Sequence, residues 1–217
     1  MFVYFARHGE SEANVLKIFA NTPGKYGLTD KGRTQAAQLA ENLIGEGITR
    51  AYASPLLRAQ QTCDIVCSRL GIGAFGTMDA LREFSVGNHE GSCDPAAWQE
   101  YAEVESAWLG GDHSANIGGG ECLNDISARF MPAMYSLVEE FGHTDERILL
   151  VGHGGTYACM LPQLLINVDM AFAQEHRFAP ASFVKAEYAD GRFVCLSWTG
   201  IAPPQPDPFT GYALGNG

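Results

Sequence analysis

Two histidines and two arginines, in three short clusters that each contain glycine or proline, are the residues of this chain best suited to chemistry. Arg7-His8-Gly9-Glu10 is the first cluster, Ser54-Pro55-Leu56-Leu57-Arg58 the second, and His153-Gly154-Gly155 the third. Arginine offers a planar fork of N–H donors that fits the oxygens of an anion, and imidazole can donate, accept or attack. Glycine at positions 9, 154 and 155 lets backbone N–H groups approach such an anion closely. Singly, each cluster is a weak signal. A glycine pair can be plain turn geometry, and a buried histidine is more often a packed core residue than a catalyst. Together they would make a local cationic site.

Placement gives the clusters their weight, because each falls directly after an expected strand. Phe2–Ala6 is short, apolar and rich in β-formers, as suits a strand buried on both faces. Arg50–Ala53 and Arg147–Val151 read as two more strands. Thr29 should cap a helix carrying Ala36, Leu39, Ala40, Leu43 and Ile44 and ending near Gly45 and Gly47. Ser54-Pro55 reads as an N-cap with proline at the first helical position, starting a helix that runs to Gly71. Asp94-Pro95 repeats that signal for a helix through Trp98 and Trp108. Gly120 to Gly142 reads as another, with Pro132 as a kink or break. A helix follows His153-Gly154-Gly155. Ser182–Tyr188 and Arg192–Trp198 flank Asp190-Gly191, a hairpin signal.

Strands alternating with helices predict a three-layer α/β/α fold, its sheet mainly parallel with an antiparallel edge. Residues 1–200 are expected to form one domain, followed by a Pro-rich extended tail over 201–217 that wraps onto it. In open α/β sheets the ligand crevice lies outside the carboxyl ends of the strands, where all three clusters would meet.

Composition excludes other classes. Of 217 residues 46% are hydrophobic and 18% charged, enough apolar content for a real core. Lys and Arg total 14 against 25 Asp and Glu, a formal net charge of -11. That balance argues against nucleic acid or an anionic membrane as partner, so an anionic ligand needs a local positive cluster. The six cysteines are scattered and read as free thiols of a reducing compartment; no metal site is expected. Cys63 and Cys67 share a helix face but lack two further ligands. With neither a secretory leader pattern nor a membrane-length apolar run, the chain reads as cytoplasmic.

The clusters also carry a resemblance. Arg7-His8-Gly9-Glu10-Ser11 resembles the phosphohistidine signature of the histidine phosphatase, or phosphoglycerate mutase-like, superfamily. Asn14, Leu28-Thr29-Asp30-Lys31-Gly32, Ser54 through Thr62, Leu81-Arg82-Glu83, Gly87 through Gly91, Gly119-Gly120-Glu121 and Val151 through Gly155 are similar to its further motifs. The likeness runs from Phe2 to about Tyr157.

The resemblance implies that His8 attacks phosphorus, dividing one difficult hydrolysis into two displacements. It implies that Arg7, Arg58, His153 and amides near Gly154 hold the phosphoryl oxygens, with Asn14 as a further contact or a local cap. Glu83 is the implied proton donor, ahead of Glu10, Glu90 and Glu121. Ser54 is read as a cap rather than a nucleophile. Asn21, Thr22, Lys25, Arg82 and the Trp98–Trp108 segment are candidates for the outer pocket, although aromatics there are more often core. No cofactor is implied.

After Glu83 the chain reads Phe84-Ser85-Val86-Gly87, without the basic pair that mutases of the family carry beside the acid. The expected activity is therefore a phosphomonoesterase acting on a small phosphorylated substrate. Mutase-type transfer is the first alternative, and a non-catalytic phospho-ligand binder the second. The oligomeric state is left open, a homodimer included.

Overall fold

The computed structural model describes residues 1–205. Its elements in chain order are β1 (Phe2–Arg7), α1 (Glu12–Leu16), α2 (Asp30–Leu43), β2 (Arg50–Ala53), α3 (Leu57–Leu70), β3 (Gly76–Thr77), α4 (Pro95–Leu109), α5 (Leu123–Phe141), β4 (Arg147–Gly152), α6 (Gly154–Leu164), α7 (Met170–Glu175), β5 (Phe183–Ala189) and β6 (Arg192–Trp198). One six-stranded sheet runs in the order β3-β2-β4-β1-β5-β6. The first four of these strands are parallel; β5 and β6 add the antiparallel edge. This is the expected α/β architecture.

Alternation along the buried strands divides two cores. Tyr4, Ala6, Ala51, Ala53, Leu149 and Val151 pack with Leu39 and Leu43 of α2 and with Ala59, Cys63 and Val66 of α3. Val3, Phe5, Ile148 and Leu150 face the other way, against α4, α5, α6 and α7 through Val104, Phe130, Met134, Met160 and Ala173. A strand covered on both faces has no polar side, which is why β1 and β4 read as unbroken apolar runs. Each fully buried Leu or Phe contributes on the order of 2 kcal/mol through area removed from water.

Register fixes the geometry of the site. Arg7 of β1 lies opposite Gly152 of β4, and Val151 lies opposite Ala53 of β2. The three carboxyl ends are therefore level, and His8, His153 and Ser54 emerge side by side.

Local details depart from expectation in several places. The helix after β2 begins at Leu57, with Leu56 as a cap that makes no side-chain bond. Ser54 and Pro55 belong to the turn before it, where Ser54 Oγ accepts from Leu56 N over 3.2 Å. Ile44 lies beyond α2, whose helical backbone stops at Leu43, and is 62% exposed. Pro132 does not break α5, which runs through it with the ring on the exposed side. The two-residue β3 and the short α1 and α7 were not expected.

Other expectations hold closely. Thr29 caps α2, and Asp94 with Pro95 starts α4. Asp190 and Gly191 both take positive φ, 52° and 78°, as a type I′ hairpin turn requires. All six cysteines are free thiols; Cys63 and Cys67 lie with sulfurs 3.8 Å apart in the core. Of the tail, Ile201 bridges to Trp198, and the Pro204 carbonyl accepts from Asn167 Nδ2 over 2.9 Å. The rest of the expected extension, residues 206–217, lies outside the described residues. No helix among the described residues is long and apolar enough to cross a membrane.

Candidate active site

A cavity of about 240 Å³ opens above the level strand ends, and Arg7, His8, Arg58, Glu83, Gly154 and Gly155 line it. His8 is 2% exposed and His153 is fully buried. Their rings lie edge to face, 5.0 Å between centroids.

The hydrogen bonds of His8 determine its tautomer. Nδ1 lies 2.6 Å from the Gly9 carbonyl, which can only accept, so Nδ1 carries the proton. Nε2 receives the Nε–H of Arg58 over 3.0 Å, and Arg58 can only donate. The ring is therefore neutral, with its lone pair on Nε2. Burial, reinforced by the Arg58 and Arg7 charges, holds His8 well below the ordinary imidazole value.

His153 is held by Ser54 through ring Nε2. Ser54 Oγ, already accepting from Leu56 N, lies 2.8 Å from His153 Nε2. When the Ser54 hydroxyl donates to that nitrogen the ring proton lies on Nδ1, and when the ring donates to Oγ it lies on Nε2; Oγ has a lone pair to accept in the latter case. Nδ1 has no hydrogen-bond partner, and neither has the buried Arg7 Nε. Buried polar groups without partners are costly, and of these two Arg7 Nε can only donate. Burial, then Arg58 and His8, hold His153 well below its ordinary value too.

The arginines are anchored through the backbone. Arg7 donates to the Phe178 carbonyl over 2.6 Å, and Arg58 to the Ala20 carbonyl over 2.8 Å. Burial pulls the Arg58 pKa down to about 10, against the opposing pull of Glu83, so it remains charged at neutral pH. Thr62, one turn beyond Arg58, accepts from Gly9 N over 3.1 Å and donates to the Arg58 carbonyl over 2.7 Å. It ties the loop bearing His8 to the helix bearing Arg58.

Glycines set how closely these parts approach. A Cβ on Gly9 would overlap the Gly32 carbonyl, and one on Gly32 would overlap the Glu10 carbonyl. At Gly155 a Cβ would stand 2.8 Å from Glu83 Oε1. Glu83 sits on the start of α6: Oε1 accepts from Thr156 N at 2.7 Å and Thr156 Oγ1 at 2.9 Å, and Oε2 from Gly155 N at 3.1 Å. The single bond at Oε2 leaves a lone pair free at the cavity.

The other glutamates are engaged elsewhere. Glu10 binds Thr29 and Lys31, Glu121 binds Arg82, Arg129 and Ser85 N, and Glu90 accepts from Asn21 N, Thr22 N and Thr22 Oγ1.

The outer positions divide. Asn14 and Asn21 line the cavity. Asn14 Oδ1 is taken by Ser11 in a capping box, and Asn21 Nδ2 donates to the Phe84 carbonyl. Thr22 and Arg82 are not in it; they line a neighbouring hollow, where Arg82 is paired with Asp79 and Glu121. Lys25 is exposed and lines neither. Trp98 reaches the cavity, whereas Trp108 is core, its indole donating to the Ala115 carbonyl.

Tyr101 and Glu105 of the expected Trp98–Trp108 segment also line the cavity, whereas sequence reasoning missed Phe19, Arg177 and Phe178. Among the described residues no group of three or more His, Cys, Asp or Glu could hold a metal ion.

The parallel strand ends thus carry a neutral, lone-pair-bearing imidazole beside a buried Arg58 and a half-buried Arg7. The chain belongs to the histidine phosphatase superfamily, branch 1, whose family model matches residues 3–200. Among curated relatives, the 2,3-bisphosphoglycerate-dependent phosphoglycerate mutase of Azorhizobium caulinodans is 29% identical over 189 residues, covering 85% of this chain and 86% of that one. Among solved structures, mycobacterial hydrolase 1 is 26% identical with a TM-score of 0.77, over 93% of this chain and 99% of the other. A mycobacterial glucosyl-3-phosphoglycerate phosphatase complexed with VO3 is 27% identical with a TM-score of 0.74, over 91% and 98%.

Proposed function

We propose that this protein is a metal-independent phosphomonoesterase that works through a phosphohistidine at His8. The observation that carries the reading is the pair of unpartnered buried nitrogens, Arg7 Nε and His153 Nδ1, near the Nε2 lone pair of His8; with the Ser54 hydroxyl donating to His153 Nε2, both offer an N–H. In the first step the Nε2 pair forms a bond to phosphorus as the ester P–O bond breaks. The leaving alkoxide takes a proton from the Glu83 carboxyl group. In the second, water attacks phosphorus, gives a proton to Glu83, and the P–N electrons return to Nε2.

Arg7, Arg58 and His153, with the Gly154 amide, carry the charge on the equatorial oxygens throughout. Asn14 is a secondary contact through its side-chain amide. The small phosphorylated substrate enters from solvent, and the protein works in the cytoplasm.

A second reading, phosphoglycerate mutase chemistry, is favoured by the names of curated relatives. A mutase needs spare cations for a carboxylate and a second phosphate. Beyond Arg7 and Arg58 the basic residue lining this cavity is Arg177, already bonded to Glu105 over 3.0 Å. Phosphatase is therefore preferred.

Phosphate release from p-nitrophenyl phosphate, measured with EDTA present, tests the proposal, and sustained turnover is expected. Conversion of 3-phosphoglycerate to its 2-isomer, stimulated by the bisphosphate and outpacing hydrolysis, would instead establish the mutase.

A further inference from the structure

Away from His8 the cavity turns apolar. Phe84, Tyr101, Phe19 and Trp98 line it, and their rings form a continuous ladder. Trp98 stacks on Phe19 with centroids 4.0 Å apart and 24° between planes. Phe19 meets Tyr101 at 5.7 Å and 27°, and Tyr101 meets Phe84 at 5.8 Å and 18°. Phe19 and Phe84 are rooted in the core, whereas Trp98 is 38% exposed. Its indole N–H donates to the Lys17 carbonyl over 2.9 Å, which satisfies its one polar group and pins the ring.

A second hollow of about 240 Å³ is lined by Ala13, Asn14, Lys17, Ile18 and Trp98. All of these except Lys17 also line the cavity, so the two are contiguous. The α1 helix, which supplies Ala13 and Asn14, exposes Val15 and Leu16 to solvent as well.

Polar groups along this wall are few and mostly engaged, with the Tyr101 hydroxyl and Asn14 Nδ2 among those left for a ligand. Glu105 and Arg177 are bonded to each other, Asn21 Nδ2 to the Phe84 carbonyl, and Asn14 Oδ1 to Ser11. A sugar would need several convergent, unengaged hydrogen-bonding groups here, and a second anion would need a free cation.

We infer that the site takes phosphomonoesters of bulky apolar alcohols or phenols. Their hydrocarbon part lies along the Phe84–Tyr101–Phe19–Trp98 ladder and runs out into the groove beside Ala13 and Ile18. This rests on the phosphomonoesterase reading above and adds its substrate class.

The test is kcat/KM of the intact protein on butyl through octyl phosphate, and on phenyl against 1-naphthyl phosphate. Glycerol 1-phosphate and glucose 6-phosphate serve as polar comparisons. Specificity should rise by up to about fourfold per methylene while the chain remains on the protein surface, and about tenfold from phenyl to naphthyl. Trp98→Ala should lose progressively more as the chain lengthens, which flattens the series. A flat series in the unaltered protein, or preference for the glycerol or glucose ester, would overturn the apolar substrate class. Turnover of p-nitrophenyl phosphate and labelling of His8 would still stand in that case. If no monoester is turned over and His8 takes no label, the functional reading fails and takes this inference with it.

Discussion

Arg58 donates its Nε–H to His8 Nε2 across 3.0 Å, so a cation faces the one lone pair of the imidazole. The contact keeps a proton off that nitrogen while the site is empty. An arriving oxyanion offers the guanidinium a better acceptor and frees the pair. Removing Arg58 should therefore do two things. In Arg58→Gln, kcat/KM should fall by roughly 10²- to 10³-fold as a charged donor is lost. Arg58 is one of the causes that lower the His8 pKa, so the acid limb of the pH profile should also move to higher pH. Rate profiles of both proteins on one substrate check this, because the substrate's own ionisation is common to both.

Stability should fall on mild acidification. His8 and His153 are held neutral in the fold, with pKa values well below ordinary, while in the unfolded chain they titrate near 6.5. Above that pH neither state takes up the proton and the histidines contribute nothing to the pH dependence. Below it the unfolded chain binds protons that the fold refuses, so stability is lost as pH falls. The slope is about 1.4 kcal/mol per pH unit for each histidine until the folded-state pKa is reached. Urea midpoints between pH 7 and 5 measure it. The double variant His8→Asn, His153→Asn should show a shallower dependence over that interval.

Glu83 has two duties that one substitution separates. Its carboxylate accepts from Gly155 N and Thr156 N at the start of α6. Glu83→Gln should cost about 1 kcal/mol of stability, because an amide NH₂ replaces one acceptor oxygen among donors. As proton donor, Glu83 should matter most where the departing alkoxide is basic. The variant should lose more activity on alkyl phosphates than on p-nitrophenyl phosphate. Equal losses would remove the proton-donor role and leave the capping role intact.

Gly32 lines no part of the cavity, yet a Cβ there would overlap the Glu10 carbonyl and press on the loop that carries His8. Gly32→Ala should lower both the melting temperature and kcat, the latter by about tenfold or more through misplacement of the nucleophile. A variant as stable and active as the parent would show that the loop yields freely.

Legibility in the sequence followed chain-local physics. Arg7, His8, Arg58 and His153 stood out because apolar strands end abruptly in glycine or proline beside them, and parallel registration then brings those ends level. Glu83 has no such signal: it follows a short 3-10 turn, and a lone glutamate looks like any solvated charge. It was reached through resemblance to the family.

Phe19, Arg177 and Phe178 reach the cavity from loops far apart in the chain, and nothing around each one indicates its destination. Ile44 fitted the helical period but is the C-cap, one residue past the last helical position, and periodicity carries no information about where a helix ends. Ser54 gave a capping signal that tertiary structure diverted to the His153 ring.

The central claim is that phosphorus passes through a covalent bond to His8. Rapid quenching with a ³²P-labelled monoester in alkali, followed by peptide mapping, tests it most directly. The account predicts one acid-labile, base-stable phosphoryl group per chain, on the peptide containing His8 and absent from His8→Ala. Label on another residue, or undiminished turnover by His8→Ala, would contradict it.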